Sequence, residues 1–293
     1  MPKVQKSGKY YYKINKIGKK TRISEEEYYK VSKIKIINKK KNNDYMIGGV
    51  IDDFLFNFKS KNNIVEIGRG GFGIVYLDKT QPDSVFKIST KENTCRTWIY
   101  ESEIYKNLAN FDIDSNLCKI IKMKDYISTK DMCVMELTRA YNPLGLDIYY
   151  TIQPQFQYTS YSHKYSTRGL FLGINELIEN GIFTEKNIGN YIAELGIIMA
   201  KLHYKVKNDG YDIELFISKI NNEEPIIYIG DFDLSSFYEE PDIDRLLWSL
   251  EAVPYFPIEG PLYKIFSNNY IKEARIYGMG EVAKKVLYSY IDI

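Results

Sequence analysis

The stretch Gly68-Arg69-Gly70-Gly71-Phe72-Gly73-Ile74-Val75 decides the fold that we expect for this chain. It reads G-x-G-x-x-G-x-V, and a β-like run lies on each side of it, Ile64 to Gly68 and Phe72 to Leu77. Two strands joined in this way form a hairpin whose backbone can lie against phosphate groups, because residues without a Cβ allow close approach. The first candidate nucleotide contacts are therefore Gly68, Gly70, Gly71, Phe72, Gly73 and Val75. What the hairpin does depends on the residues that follow it.

The composition excludes several classes of site. Of the 293 residues, 44% are hydrophobic and 27% are charged, which permits a packed core. The three cysteines are scattered, which argues against a disulfide framework and a cysteine zinc site, and the two histidines exclude a histidine-rich metal site. No run approaches the roughly 18 apolar residues of a membrane span. We expect no membrane partner and a reducing, cytoplasmic compartment.

Residues 1–44 form a separate, basic and tyrosine-rich module with a linker. Tyr10 to Ile14 and Lys20 to Ile23 can pair as a hairpin, and the string after Ser24 predicts a short helix through its capping box. Basic residues interleaved with aromatic ones can bind RNA or DNA. The alternative is a small hairpin with a solvated basic face and tyrosines that pack on the next domain. The net charge of the whole chain is only +2, so no global field argues for nucleic acid.

The remaining chain divides into a β-rich part, 45–138, and a mainly helical part, 139–293, with a loop or insertion at about 141–168. The apolar patterns predict the elements in chain order. They are strands at Ser84–Ser89, Lys119–Ile127, Met132–Leu137 and Ile226–Ile229, and helices at Thr94–Leu108 and Asn187–Tyr204 and over most of the last 50 residues.

Phosphoryl transfer requires a phosphate cradle, a cation on the phosphates, acidic metal ligands and a carboxylate near the acceptor hydroxyl. Lys87 follows Gly73 by 14 residues on the next strand, where it can meet the α- and β-phosphates. Glu101 borders the apolar face of the following helix and could orient Lys87. Glu103 is the alternative, on a different face.

The strand Cys133-Val134-Met135-Glu136-Leu137 suits the edge of a nucleotide pocket. The backbone of Glu136 and Leu137 would then meet the adenine edge, with Met135 at the back. The same residues also suit an ordinary core strand.

Four acidic residues later in the sequence are candidate catalytic groups or candidate metal ligands. Asp209 can orient or deprotonate the acceptor hydroxyl, and Asp212 is the alternative base. Glu214 and Asp231 are the candidate Mg²⁺ ligands, since hard cations accept carboxylate oxygens. For Asp244 we leave open whether it buttresses this loop or caps a helix. We expect His203 to be structural.

With these residues in this order, the region from about 60 to 250 resembles a divergent protein-kinase-like fold. The resemblance implies an α+β, bilobal architecture, with a β-rich N-terminal lobe and a shortened helical C-terminal lobe, that binds ATP and Mg²⁺. The chain departs from the H-R-D-x-x-x-x-N and D-F-G motifs of that fold. Lys207 and Asn208 replace the His and Arg, Glu214 replaces the Asn, and Asp233 replaces the Gly.

Three functions follow as alternatives. The first is an atypical kinase with an unknown acceptor, and the second is a pseudokinase scaffold for a protein or RNA partner. The third is a nucleic-acid-binding protein that uses residues 1–44.

A closer likeness covers about residues 167–273. That region resembles an uncharacterised, mainly fungal kinase-like family in six strings that occur in the same order, of which the first is Thr167-Arg168-Gly169-Leu170-Phe171-Leu172 and the other five follow it. These five are Ala200-Lys201-Leu202-His203-Tyr204, Asp209 to Glu214, Asp231-Phe232-Asp233, Pro254-Tyr255-Phe256-Pro257 and Phe266 to Tyr270. The N-terminal string is similar to a short module of giant-virus proteins, which implies a viral source and a host cytoplasm or virion location.

Overall fold

The computed structural model describes residues 3–7, 10–14, 20–23, 63–70, 73–89, 92–128, 132–145, 150–158, 169–221, 223–252 and 255–291. The chain divides into two compact units, Met1–Phe54 and Leu55–Ile293. The predicted boundary at residue 44, the predicted helix after Ser24 and much of the predicted insertion lie outside the described residues and stay predictions.

The smaller unit contains a three-stranded antiparallel sheet. Its strands are β1 (Lys3–Ser7), β2 (Tyr10–Ile14) and β3 (Lys20–Ile23), and β2 lies in the centre. The pairing of Tyr11 with Ile23 and of Ile14 with Lys20 confirms the predicted hairpin.

The larger unit has an α+β fold. Its described part contains two five-stranded sheets and six α-helices. The strands are β4 (Ile64–Arg69), β5 (Ile74–Asp78), β6 (Ser84–Ser89), β7 (Cys118–Ile120), β8 (Met123–Ser128), β9 (Cys133–Thr138), β10 (Ile152–Gln155), β11 (Leu170–Gly173), β12 (Glu214–Ser218) and β13 (Ile226–Gly230). The helices are α1 (Glu92–Leu108), α2 (Ile174–Glu179), α3 (Ile188–Ala200), α4 (Ile243–Glu251), α5 (Gly260–Ile276) and α6 (Gly280–Ile291).

The first sheet has the order β4-β5-β6-β9-β8, and every neighbouring pair is antiparallel. Helix α1 packs on β6, β8 and β9. A disulfide joins Cys95 on α1 to Cys133 on β9. The scattered spacing predicted no disulfide framework, yet this pair meets because the helix folds back on the sheet. The cysteine pattern therefore no longer supports a reducing compartment.

The second sheet has the order β11-β10-β12-β13-β7 and is mixed. The prediction of one strand over Lys119–Ile127 is wrong, because β7 and β8 belong to different sheets. The chain crosses between the sheets at Ile121 and Lys122. The Ile121 N–H donates to Ile229 O of the second sheet, and Lys122 O accepts from Thr138 N at the end of β9 in the first sheet.

Strand β10 also corrects the sequence prediction, since it lies inside the segment predicted as a loop. It is buried along its length between β11 and β12. Pro154 led the sequence to favour a loop here, because proline lacks the N–H that a residue inside a strand normally donates.

The helical part is built around α3, which confirms the predicted helix over most of its length. The chain continues as a π-helical segment, Lys201–Val206, and ends at Lys207 in the left-handed region, with φ of 60°. Helix α3 packs closely on α5, since a Cβ on Gly196 would lie 2.6 Å from Phe266 O. Within the described ranges, no helix combines the length and apolarity that crossing a membrane requires.

Candidate functional site

A pocket in the larger unit brings residues of both sheets together. It is lined by Ile67, Gly68, Arg69, Gly70, Gly73, Val75, Val85, Lys87, Glu101, Tyr105, Ile121, Leu137, Thr138, Ala140, Thr151, Asp212, Glu214, Phe216, Asp231 and Asp233. The lining combines apolar side chains from both sheets with one buried lysine and several carboxylates. Such a combination of an apolar wall with a few convergent charged groups is typical of a ligand site.

Lys87 lies at the centre of the charged part. Its Nζ is 3.0 Å and 3.2 Å from the two carboxylate oxygens of Glu101 and 2.7 Å from Asp231 Oδ1. The Lys87 side chain is 11% exposed and that of Glu101 is fully buried. Burial alone would lower the pKa of Lys87, but Asp231 and Glu101 outweigh it and hold that pKa well above its usual range. The lysine is therefore a fixed positive charge in the pocket.

Helix α1 supplies the partner for Lys87 through its buried face. Glu101 lies on that face, whereas Glu103, the alternative partner, is exposed to solvent. Tyr105, one turn after Glu101, accepts a hydrogen bond from Asp231 N at 3.1 Å. Tyr105 was not among the predicted site residues, although its i+4 spacing from Glu101 places it on the same side of the helix.

The glycine-rich hairpin lines the pocket through Gly68, Gly70 and Gly73, while Gly71 and Phe72 lie outside the described residues. Gly70 N donates to Gly73 O at 2.9 Å and closes the turn. A Cβ on Gly70 would meet nothing within 4 Å.

Gly73 is needed for a different reason. A Cβ at this position would lie 2.7 Å from both Ile88 O and the ring of Trp98. The Lys87 ammonium lies 5.0 Å from the centroid of the same ring. Gly73 therefore lets β5 approach α1 closely, and this packing fixes the hairpin over the lysine.

The part of β9 predicted to line the pocket contributes fewer residues than expected, and the residues that follow it line the pocket as well. Met135 pairs with Lys87 across β6 and β9, but it is fully buried and does not line the pocket. Glu136 does not line it either, and its Oε1 accepts from Ser84 Oγ at 2.7 Å. Of the three predicted residues only Leu137 lines the pocket, and Thr138 and Ala140 follow it.

Four carboxylates complete the charged part, in addition to Glu101. Asp212, Glu214, Asp231 and Asp233 all line the pocket. Burial, followed by the neighbouring charge of Asp231, holds the pKa of Asp233 well above its usual range. This crowding of like charges favours a bound cation.

The donor set suits Mg²⁺ chemically, since all four side chains offer hard oxygen ligands. Within the described ranges, no group of three or more His, Cys, Asp or Glu residues could hold a metal ion by itself. Mg²⁺ is commonly held by one or two carboxylates together with substrate phosphates, so Asp231 and Glu214 fit that mode.

Asp209, the first candidate for the catalytic carboxylate, lies outside the pocket. It is almost fully buried and accepts hydrogen bonds from Ser236 N at 2.7 Å and Tyr211 N at 3.2 Å, and an ion pair joins it to Arg245. Asp212, the alternative, lines the pocket, with φ of 59°. The carboxylate of Asp209 therefore stabilises the loop from inside, and the loop places Asp212 at the pocket.

Arg245 is the residue that braces this loop, and sequence reasoning missed it. The neighbouring Asp244 is exposed, and Asp242 caps α4 by accepting from Asp244 N. The string Asp242-Ile243-Asp244-Arg245 is typical of a helix start. It does not indicate which of its side chains contacts Asp209.

His203 is structural, as expected from the sequence. It is fully buried, and its ring nitrogens contact Tyr270 Oη at 2.7 Å and Ser249 Oγ at 3.1 Å. Burial lowers its pKa to about 3, so the imidazole stays neutral.

Comparisons with protein-family models and with curated proteins found no match to this chain.

Proposed function

We propose that this chain is an ATP- and Mg²⁺-binding, kinase-like protein that transfers a phosphoryl group to an acceptor of unknown identity. The observation that carries the proposal is the double pairing of Lys87 with Glu101 and Asp231 in a pocket lined by the glycine-rich hairpin. A cation held between two carboxylates is positioned to exchange one of them for a phosphate oxygen when nucleotide binds.

On this proposal the first sheet with α1 is the N-terminal lobe of a bilobal fold, and the second sheet with the remaining helices is the shortened C-terminal lobe. Val75 and Val85 from the first sheet and Phe216 from the second line the same pocket. Apolar side chains on two sides suit a flat adenine ring, which buries both of its faces.

Asp231 and Glu214 would hold the magnesium ion, and Asp212 is placed to orient the acceptor hydroxyl or accept its proton. Bound Mg²⁺ would neutralise charge on the phosphates. Lys87 would bind the phosphates, with Glu101 and Trp98 keeping its side chain in place.

A pseudokinase scaffold is the second candidate, and one observation favours it. Asp209, the residue at the position of the catalytic aspartate in the kinase motif, is tied to Arg245 and excluded from the pocket. In that case nucleotide binding would stabilise a surface for a protein or RNA partner.

The test is thermal unfolding with and without Mg²⁺-ATP. A ligand at about 100 times its dissociation constant adds roughly 2.7 kcal/mol to the unfolding free energy. We expect this shift in the wild type and its loss in Lys87→Ala and Asp231→Asn. Lys106→Ala, an exposed change on α1, is the matched control and should keep the shift.

Two outcomes decide the proposal. If the wild type shows no shift, nucleotide binding is refuted. If it shows a shift but transfers no γ-phosphate to any acceptor or to water, the scaffold is the better proposal.

The N-terminal unit supports a nucleic-acid contact as an additional function. Its three paired strands, β1, β2 and β3, carry lysine, arginine and tyrosine residues. Cationic and aromatic residues together can bind the phosphates and bases of single-stranded RNA or DNA. Deletion of residues 1–44 should abolish binding of a labelled single-stranded RNA. Binding that survives the deletion contradicts this assignment.

A further inference from the structure

A series of two hydrogen bonds leads to Glu214 from two distant parts of the sequence. Gln153 on β10 donates from Nε2 to Glu214 Oε2 at 3.0 Å. The hydroxyl of Tyr255 donates to Gln153 Oε1 at 2.9 Å. Gln153 is fully buried and Tyr255 is 2% exposed, so the bond between them is shielded from water, whereas the bond from Gln153 to Glu214 is partly buried.

The chemistry of the Gln153 amide determines which group donates and which accepts in these hydrogen bonds. A glutamine carries an acceptor oxygen and a donor nitrogen that can exchange places by rotation of the amide. The Glu214 carboxylate only accepts hydrogen bonds, so the amide nitrogen must face it, and the amide oxygen is then left to accept from the Tyr255 hydroxyl. Tyr255 thereby holds the oxygen end of the amide whose nitrogen donates to Glu214.

A neutral donor is the suitable partner for a carboxylate that must bind a cation. A lysine or arginine in the place of Gln153 would neutralise Glu214 and repel an incoming metal ion. An amide orients the carboxylate and leaves its charge in place. Hydrogen-bond partners of metal ligands commonly act in this way.

We propose that Gln153 is a positioning residue for Glu214 as a magnesium ligand, and that Tyr255 anchors the side-chain amide of Gln153. This inference rests on the proposed binding of Mg²⁺-ATP. It explains how a glutamate serves at a position where the kinase motif has a neutral asparagine. It also gives Tyr255, in the string Pro254-Tyr255-Phe256-Pro257, a connection to the pocket.

The experiment measures how much Mg²⁺ is needed to half-saturate the protein at a fixed ATP concentration, by calorimetry and thermal unfolding. Replacing a partner of a metal ligand typically costs 10- to 100-fold in metal affinity, which we expect for Gln153→Leu. Tyr255→Phe removes a single hydroxyl and should raise the half-saturating Mg²⁺ concentration by about 2- to 10-fold. Affinity for ATP without metal should stay unchanged in both variants.

Tyr290→Phe is the matched control. It removes a hydroxyl from another buried tyrosine, which donates to the neighbouring Phe256 O at 3.0 Å. This variant should keep the wild-type Mg²⁺ dependence. If Gln153→Leu does not fold, Tyr255→Phe and its control decide the question.

A double-mutant cycle separates positioning from a general structural effect. In a Glu214→Gln background, Tyr255→Phe should cause no further change in Mg²⁺ dependence, because the residue that it positions has been removed. A wild-type Mg²⁺ dependence in Tyr255→Phe, or an equal effect in both backgrounds, overturns the inference and leaves nucleotide binding intact. A wild type that does not bind Mg²⁺-ATP at all refutes the proposed function and this inference together.

Discussion

Replacing Lys87 by methionine probes the charge balance on which the pocket depends. The substitution keeps the length of the side chain but removes the positive charge between Glu101 and Asp231. Glu101 is fully buried and would be left without its counter-charge, whereas the Asp231 side chain is 33% exposed and can be solvated. Removing one partner of a buried ion pair costs about 3–5 kcal/mol. We assign nearly all of this cost to Glu101, since solvent screens the other carboxylate.

The cost should depend on pH. Burial already raises the pKa of Glu101 in the wild type, and Lys87 opposes that shift. Without the lysine the pKa in the folded state rises further above its value in the unfolded chain. A raised folded pKa means that the folded state binds the proton more tightly, so stability is gained as the pH falls. The difference between wild type and Lys87→Met should therefore shrink from pH 8 to pH 5.

The assay is urea unfolding followed by circular dichroism, without nucleotide, at both pH values. Lys87→Met/Glu101→Leu is the companion variant, because replacing both members of a buried pair by apolar side chains is often nearly neutral. It should recover most of the stability lost at pH 8. A loss of equal size at pH 5 and pH 8, or a double variant as unstable as Lys87→Met, would refute the reasoning.

Three further predictions concern the frame around the pocket. Gly73→Ala should lower the free energy of unfolding by about 1–3 kcal/mol through overpacking. The matched change Gly70→Ala, whose Cβ would meet open space, should change it by no more than about 0.5 kcal/mol. Equal effects of the two variants on urea unfolding would contradict this prediction. Cys95→Ser/Cys133→Ser should lose about 2–4 kcal/mol, and dithiothreitol should destabilise the wild type but not this variant. In the folded state the pKa of His203 is lowered to about 3, below its value of about 6.5 in the unfolded chain. The neutral imidazole therefore contributes fully to stability above pH 6.5, and about 2 kcal/mol of that contribution is lost by pH 5. His203→Gln should lack this part of the pH dependence, and an unchanged pH profile in that variant would contradict the prediction.

The contact between Lys87 and Glu101 could be predicted from local pattern. The lysine lies in a short strand that follows the hairpin, and helical spacing selects the carboxylate on the buried face of α1. Both inferences use only periodicity within one element, where sequence reasoning is strongest.

The loop that contains Asp209 and Asp212 shows the limit of counting residues. The motif spacing favoured Asp209 as the carboxylate near the acceptor. Left-handed backbone at Asp212, and the ion pair from Arg245 to Asp209, decide which side chain enters the pocket. Neither feature is visible as a pattern in the sequence.

The crossing at Ile121 and Lys122 shows the same limit for strands. The apolar character continues from β7 into β8, so the sequence predicts one element. The backbone hydrogen bonds change partner between these residues, from β13 to the end of β9.

The sequence by itself determined the hairpin at Gly68–Val75, the strand of Lys87, the buried face of α1 and the smaller unit's β2–β3 pairing. These depend on side-chain alternation, helical spacing and turn residues, which act over a few positions. Tertiary structure alone decided the partners of the buried polar groups. Tyr255, Gln153 and Glu214 meet from three separate segments, as do Arg245 with Asp209 and Cys95 with Cys133. Buried polar groups must be paired, and the topology of the two sheets determines which distant segment supplies each partner.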